Sequence, residues 1–262
     1  MVREIFAEEL KRLEEYLNND KFQNPYFYID LLSFGYKSDN VQVYITDSQD
    51  GLCYIYRYYD TVQLYIPNGM TFPKKELIEF LKENKFQMIS GSSKLINEIS
   101  NDLSLSYCLN NGVIMSYGGD DVSISDEQIC YATLKECPEI ARLICSDEKI
   151  GGHYDVDKLA NQLSNRLTSH NCRNVILRLN DKIISHAATY AEEKDMAIIG
   201  GVITLKDFRG CGYGKKCVVE LVKCLLKENK VPLLFCYDDK TISWYKSMGW
   251  NIIAECGSLK KR

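Results

Sequence analysis

Apolar residues between positions 3 and 19 (Ile5, Leu10, Leu13, Leu17) recur at helical spacing with charges between them, which predicts an amphipathic helix. A second, shorter helix is expected after Asn24-Pro25, ending near Gly35, because proline suits the first turn of a helix and glycine its exit. The period then drops to two. Val41, Val43 and Ile45 alternate with Gln42, Tyr44 and Thr46; Tyr54, Tyr56 and Tyr58 alternate with Ile55 and Arg57; Val62, Leu64 and Ile66 alternate with Gln63 and Tyr65. Three such runs joined by short turns, Asp50-Gly51 among them, predict an antiparallel meander. Beyond Pro73 a helix (74–84), a strand (86–90), a helix (93–103) and a strand (106–118) complete the order ααβββαβαβ.

Gly118-Gly119-Asp120-Asp121 reads as a linker, two flexible residues beside two charges. After it the order returns. A strand is predicted over 129–134, helices over 136–146 and 155–169, and a second meander over 174–180, 183–191 and 196–204. A helix from Tyr213 to Lys230, a strand over 231–237, a helix over 241–249 and a strand over 250–256 follow. The halves share an order of elements and little sequence. This predicts a duplicated α/β fold, with one domain over 1–118, a linker over 119–125 and a second domain over 126–262.

Composition narrows the class. Of 262 residues 45% are hydrophobic and 26% charged, as in a globular protein, and no apolar run approaches the ~20 residues that span a bilayer. The charged amphipathic start argues against a secretory signal, so a soluble cytoplasmic protein without membrane contact is expected. The net charge of −4 is unevenly spread: residues 1–125 carry −7 and residues 126–262 carry +3. An acidic chain disfavours nucleic acid as partner, while its more basic second half suits an anionic ligand. The 11 cysteines include no C-x-x-C pair, which points to reduced thiols used as small apolar residues and to no metal site. Oligomeric state stays open, a homodimer among the options.

The chemical signal lies in residues 202–214, V-I-T-L-K-D-F-R-G-C-G-Y-G, which run into an amphipathic helix with Val218, Leu221, Val222 and Leu225 on one face. Alternate glycines (Gly210, Gly212, Gly214) let a ligand approach the backbone, and a helix start offers unpaired N–H groups and a positive dipole end. Arg209, Lys215 and Lys216 add charge, so a phosphate-bearing ligand fits. The dinucleotide fingerprint fails because Lys215 stands where its third glycine would be, and no P-loop string occurs. What remains is R-x-x-G-x-G, from Arg209 to Gly214.

In this motif the segment resembles the GNAT superfamily, the acyl-CoA-dependent N-acetyltransferases. Two further features agree. Gly200-Gly201 sits inside the preceding strand, where the family has a bulge that splays the strand from its neighbour and admits the pantetheine arm. Residues 238–250, DDKTISWYKSMGW, match the pattern N-x-x-A-x-x-[LF]-Y-x-x-x-G-F at Tyr245, Gly249 and Trp250, with Trp244 in place of Leu. The departures are Asp238 for Asn and Thr241 for Ala. The resemblance implies a GNAT fold, a mostly antiparallel mixed sheet flanked by helices, in two tandem copies. It implies acetyl-CoA held by backbone groups of Val202, Ile203 and Thr204 and by Arg209, Gly210, Cys211, Gly212, Tyr213, Gly214 and Lys215, with Asp238 at the usual Asn contact. It implies an amine on a small molecule or peptide as acceptor, and Tyr245 as general acid. The first half lacks the loop: residues 66–73 read I-P-N-G-M-T-F-P, whose two prolines remove backbone donors.

Other residues carry weaker expectations. His186 on an apolar strand is a candidate base, although a histidine there is more often structural, and Glu192, Glu193 and Asp195 read as solvated hairpin residues. Cys211 reads as a tolerated small side chain, and Cys217 and Cys224 as helix core. The stripe Tyr54, Tyr56, Tyr58 suits a half-buried sheet face, with an acceptor groove as the rival reading. An acyl-CoA sensor without turnover and a tRNA-dependent aminoacyl transferase are the alternatives to an N-acetyltransferase.

Overall fold

The structure, a computed structural model, describes residues 1–119, 128–148, 150–151, 154–168 and 172–262. The elements in chain order are β1 (Arg3–Glu4), α1 (Ala7–Asp20), α2 (Pro25–Phe34), β2 (Val41–Ser48), β3 (Gly51–Tyr58), β4 (Thr61–Tyr65), α3 (Lys74–Asn84), β5 (Met88–Ser92), α4 (Ser93–Leu103) and β6 (Tyr107–Tyr117). They continue as β7 (Ile129–Tyr131), α5 (Cys137–Cys145), α6 (Val156–Thr168), β8 (Asn174–Leu179), β9 (Lys182–Glu192), β10 (Met196–Thr204), α7 (Tyr213–Lys227), β11 (Val231–Cys236), α8 (Asp239–Lys246) and β12 (Trp250–Lys261). Two compact units emerge: Met1–Met115 with Cys236–Lys246 and Ile252–Arg262, and Ser116–Phe235 with Ser247–Asn251. The second half's last helix and most of its last strand thus cluster with the first unit, a division that chain order does not reveal. Residues 120–125 of the expected linker lie outside the described residues.

In the first unit the strand order is β1-β2-β3-β4-β5-β12-β6. The β2–β3 and β3–β4 ladders form the expected meander. β4 and β5 are parallel, as a strand–helix–strand crossover through α3 requires. β12 enters between β5 and β6, pairing antiparallel with β5 from Cys256↔Ser92 to Lys260↔Met88. Strand alternation feeds two apolar layers. Leu13 and Leu17 of α1 and Phe27 and Leu31 of α2 cover Val41, Val43, Ile45, Tyr54, Tyr56 and Tyr65 on one face. α3 and α4 cover Cys53, Ile55, Val62, Leu64, Ile89 and Leu259 on the other. Tyr54 and Tyr56 are fully buried, so the tyrosine stripe is sheet core and not a groove lining. The Tyr56 hydroxyl donates to the Asp30 carbonyl at 2.9 Å, which gives the buried ring a polar anchor.

The loop 66–73 of this unit is tied down. Leu52 N–H donates to Thr71 O at 2.9 Å, Tyr65 OH donates to Asp20 Oδ2 at 2.6 Å, and Asn68 Nδ2 donates to Asp20 Oδ1. Pro73 then opens α3 without a side-chain cap.

The second unit carries β7-β8-β9-β10-β11, antiparallel except for the parallel β10–β11 pair that α7 connects. α5 and α6 cover Ile176, Ile183 and Ile203 on one face. α7 packs on β8, β9 and β10 through Cys217, Val218, Leu221, Val222 and Leu225, all buried.

Glu192 departs from the expected solvated hairpin. Its side chain is only 7% exposed and takes hydrogen bonds from Arg173, Lys230 and Thr189, with Arg173 reaching on to Glu228. Burial alone would raise the Glu192 pKa; these donors outweigh it and leave it below the usual range. Cys224 belongs to this network and not to the core: Arg173 Nη1 lies 2.9 Å from its sulfur, and the residue is partly exposed.

Candidate cofactor site

The strand β10 is deformed where the sequence places Gly200-Gly201. Gly200 pairs with Ala188 and Ile203 with His186, so three steps on β10 match two on β9 and one extra residue bulges out. The parallel ladder to β11 covers Met196–Ile199 against Val231–Leu234 and ends there. Past Ile199, Val202, Ile203 and Thr204 therefore have no ladder to β11, with Ile203 buried and Val202 and Thr204 half-buried. Ser185 OH donates to Ile203 O at 3.0 Å, which steadies the strand beyond the bulge.

A short 3-10 turn, Lys206–Phe208, carries the chain to Arg209. Gly210 and Gly212 both adopt left-handed backbone, φ 81° and 80°, and a Cβ built on either would meet nothing within 4 Å. These two glycines are thus required by their backbone angles, and the space before them is open. Gly212 is the N-cap of α7, and no described side chain caps that end. The first intrahelical bond is Lys216 N–H to Gly212 O, so the amides of Tyr213, Gly214 and Lys215 have no backbone partner among the described residues. Tyr213 leans on Phe208 with ring centroids 6.4 Å apart, Lys216 Nζ sits 5.5 Å from the Tyr213 ring, and Lys215 and Cys211 are exposed. The positive dipole end, the amides and the two lysines form a cradle whose donor set suits a diphosphate.

Arg209 is already engaged. Its Nε donates to Thr204 O at 2.9 Å and its Nη2 to Asp147 Oδ2 at 2.7 Å. Asp147 also accepts Ile150 N–H through Oδ1, so it ties the stretch after α5 to the loop. No local pattern in the sequence marks Asp147; it is recruited across 62 positions.

Tyr245 and Asp238 belong to the first unit. Asp238 Oδ1 accepts Thr241 N–H at 2.9 Å and so caps α8, a task the oxygen of an Asn would perform equally. Tyr245 is 6% exposed, its ring 4.8 Å from Trp244, and burial pushes its hydroxyl pKa well above the usual tyrosine value. Trp250 is 2% exposed and meets Tyr117 edge-on at 5.7 Å, while Gly249 O accepts Gly118 N–H.

His186 is fully buried, with Nδ1 2.8 Å from Gly201 O and Nε2 2.8 Å from Asn174 Oδ1, and burial lowers its pKa to about 4. With both nitrogens committed it is a poor base. Among the described residues no group of three or more His, Cys, Asp or Glu could hold a metal ion, and no helix is long and apolar enough to cross a membrane.

Comparison with known proteins agrees with this geometry. Residues 135–250 match the model of the acetyltransferase (GNAT) family. No curated protein matches the chain. Among solved structures, a GNAT-family acetyltransferase from Colwellia psychrerythraea is 12% identical, with all of both chains covered and a TM-score of 0.59. A GCN5-related N-acetyltransferase-like protein from Streptococcus suis is 13% identical over 98% of this chain and 99% of its own, TM-score 0.57. A tandem GNAT protein from the clavulanic acid biosynthesis pathway is 8% identical over 100% of this chain and 98% of its own, TM-score 0.60. The chain has the fold of tandem GNAT proteins, and its residues 135–250 match the GNAT acetyltransferase family model.

Proposed function

We propose that this protein transfers an acetyl group from acetyl-CoA to a primary amine by direct attack. The observation that carries the reading is the uncapped N-terminus of α7 behind two left-handed glycines, next to a bulged strand whose ladder to β11 has ended. Tyr213, Gly214 and Lys215 amides, with Lys215 and Lys216, would grip the diphosphate, and β10 from Val202 to Thr204 would line the pantetheine arm. Bound there, acetyl-CoA supplies an activated acyl group as a thioester. Binding energy from the distant phosphates then goes into orientation.

The backbone N–H of Thr204, whose neighbours Ile203 and Leu205 turn theirs toward β9, would polarise the thioester carbonyl. The amine nitrogen forms its bond to that carbon, the carbon–sulfur bond breaks, the nitrogen loses a proton to water, and the sulfur receives one from Tyr245. Burial supports this role for Tyr245 because it keeps the hydroxyl protonated throughout the physiological range. The same burial makes the hydroxyl a weaker acid, so its proton would pass only as negative charge builds on the departing sulfur. The acidic first half accords with a cationic amine as acceptor.

Calorimetry with acetyl-CoA, followed by thiol release over a panel of amines, tests the reading. Binding with amine-dependent thiol release is expected. Binding without release on any amine would make the protein a sensor, and absence of binding would remove the acyl-CoA assignment altogether.

A further inference from the structure

The bulge on β10 is held from beneath by a chain of side chains. Gly201 has φ 60°, and a Cβ there would collide with the Tyr190 hydroxyl and press on His186 Cε1 at 3.2 Å. Its carbonyl faces His186 Nδ1 at 2.8 Å, and a carbonyl can only accept, so Nδ1 carries the hydrogen. A neutral ring then offers Nε2 as an acceptor. In the structure Asn174 Oδ1 faces Nε2 at 2.8 Å and Nδ2 donates to Cys172 Sγ at 3.9 Å. Turning the carboxamide end for end would bring Nδ2 to the ring and Oδ1 to the Cys172 thiol. Hydrogen bonds would then run in one direction from Cys172 through Asn174 and His186 to Gly201. Full burial of His186 favours the neutral ring that this direction needs. The opposite tautomer would set a nitrogen lone pair against the Gly201 oxygen inside the protein, at the cost of an unmade buried bond.

We infer that His186 is a positioning residue for acyl transfer: its Nδ1–H fixes the Gly201 carbonyl, and so the bulge, such that the Thr204 N–H beyond it faces away from β9 with the aim the thioester carbonyl requires. Asn174, with its carboxamide turned so that Nδ2 faces the ring, would select the tautomer. Because this rests on the acyltransferase reading, wild-type protein is measured first for acetyl-CoA binding and amine-dependent thiol release. Failure there removes the reading itself.

With turnover established, histidine ring nitrogen NMR on wild-type protein reports the tautomer, the His186 signals among the three histidines being assigned by their loss in His186→Gln. A ring protonated at Nδ1 and neutral at pH 6 is expected; a ring protonated at Nε2, or charged at that pH, overturns the proposal. His186→Gln keeps a donor for the carbonyl and His186→Leu does not. Misplacing a polarising donor by a fraction of an ångström is expected to lower kcat about 10- to 100-fold in His186→Leu, with acetyl-CoA affinity within about threefold of wild type. His186→Gln is expected to recover kcat to within about threefold. A folded His186→Leu protein with wild-type kcat would overturn the proposal. Should that variant not fold, the tautomer and the His186→Gln rate still decide.

Discussion

Arg209 Nη2 and Asp147 Oδ2 lie 2.7 Å apart, so the guanidinium that adjoins the phosphate cradle is already neutralised by a carboxylate that is itself 15% exposed. An incoming diphosphate and Asp147 compete for one cation. Asp147→Asn keeps the oxygen that accepts Ile150 N–H and removes the competing charge. A partly exposed pair of this kind is worth up to about 1 kcal/mol, so CoA affinity in the variant should rise about three- to fivefold at low salt. Titration calorimetry reads this directly. Weaker binding in Asp147→Asn would mean that the carboxylate orients Arg209 for the ligand and does not compete with it.

Gly212→Ala forces a Cβ onto backbone at φ 80°. The strain is about 1–2 kcal/mol, and the loop can relieve it only by leaving the conformation that presents the α7 amides, so CoA affinity should fall about tenfold. Gly69 is the matched control. It has φ 79° and equally open surroundings in a loop without the cradle, so Gly69→Ala should carry a similar stability cost and leave CoA binding untouched. Equal losses of affinity in the two variants would contradict a role for the Gly212 turn.

Tyr245→Phe removes one oxygen from a side chain that is 6% exposed. With the proposed general acid gone, kcat should drop about 100-fold while acetyl-CoA affinity holds, since the proposed phosphate cradle lies elsewhere. Stopped-flow thiol release and calorimetry separate the two quantities. Full turnover in the variant would reject the acid role.

The His186 pKa falls from 6.5 to about 4 in the folded protein, so between these values the unfolded chain binds the extra proton. Stability from this group is complete above pH 6.5 and is lost as the pH falls toward 4, a change of about 3 kcal/mol. Urea unfolding of wild type and His186→Gln across that range should show the steeper fall in wild type. Parallel pH profiles would contradict a neutral buried ring.

Asp30 shows the reverse sign. Burial against α2 and β4 raises its pKa from 3.8 to about 7, only partly offset by the hydrogen bond from Gln63 Nε2 at 2.6 Å. The folded protein therefore holds the proton more tightly, and stability declines as the pH rises from about 4 to 7. Asp30→Asn keeps an acceptor for Gln63 and removes the penalty. It should stabilise the protein by about 2 kcal/mol at pH 8 and by less at pH 5. An equal gain at both pH values would show that the carboxyl is not responsible.

Much of this was legible in the chain because it is local. Period-two runs and glycine punctuation located β2, β3, β4, β10 and the turn into α7, since strand alternation and left-handed angles are imposed within a few residues. Long-range partners left no such trace. Glu192 reads as a solvated hairpin residue until Arg173 and Lys230 close on it, and Cys224 reads as helix core until the same arginine reaches it. Asp147 is likewise invisible until the loop folds back to it. The division of β12 between the units has the same cause: pairing with β5 is decided by tertiary packing, which a run such as W-N-I-I-A-E-C does not encode.

The place of β12 bears on synthesis. While the chain emerges from the ribosome, β5 and β6 are made long before the strand that lies between them. Until translation reaches residues 252–261, the first unit presents two unsatisfied backbone edges and an uncovered patch against Ile89 and Ile96. Completion of the first unit's sheet therefore waits for β12, made well over a hundred residues after β6.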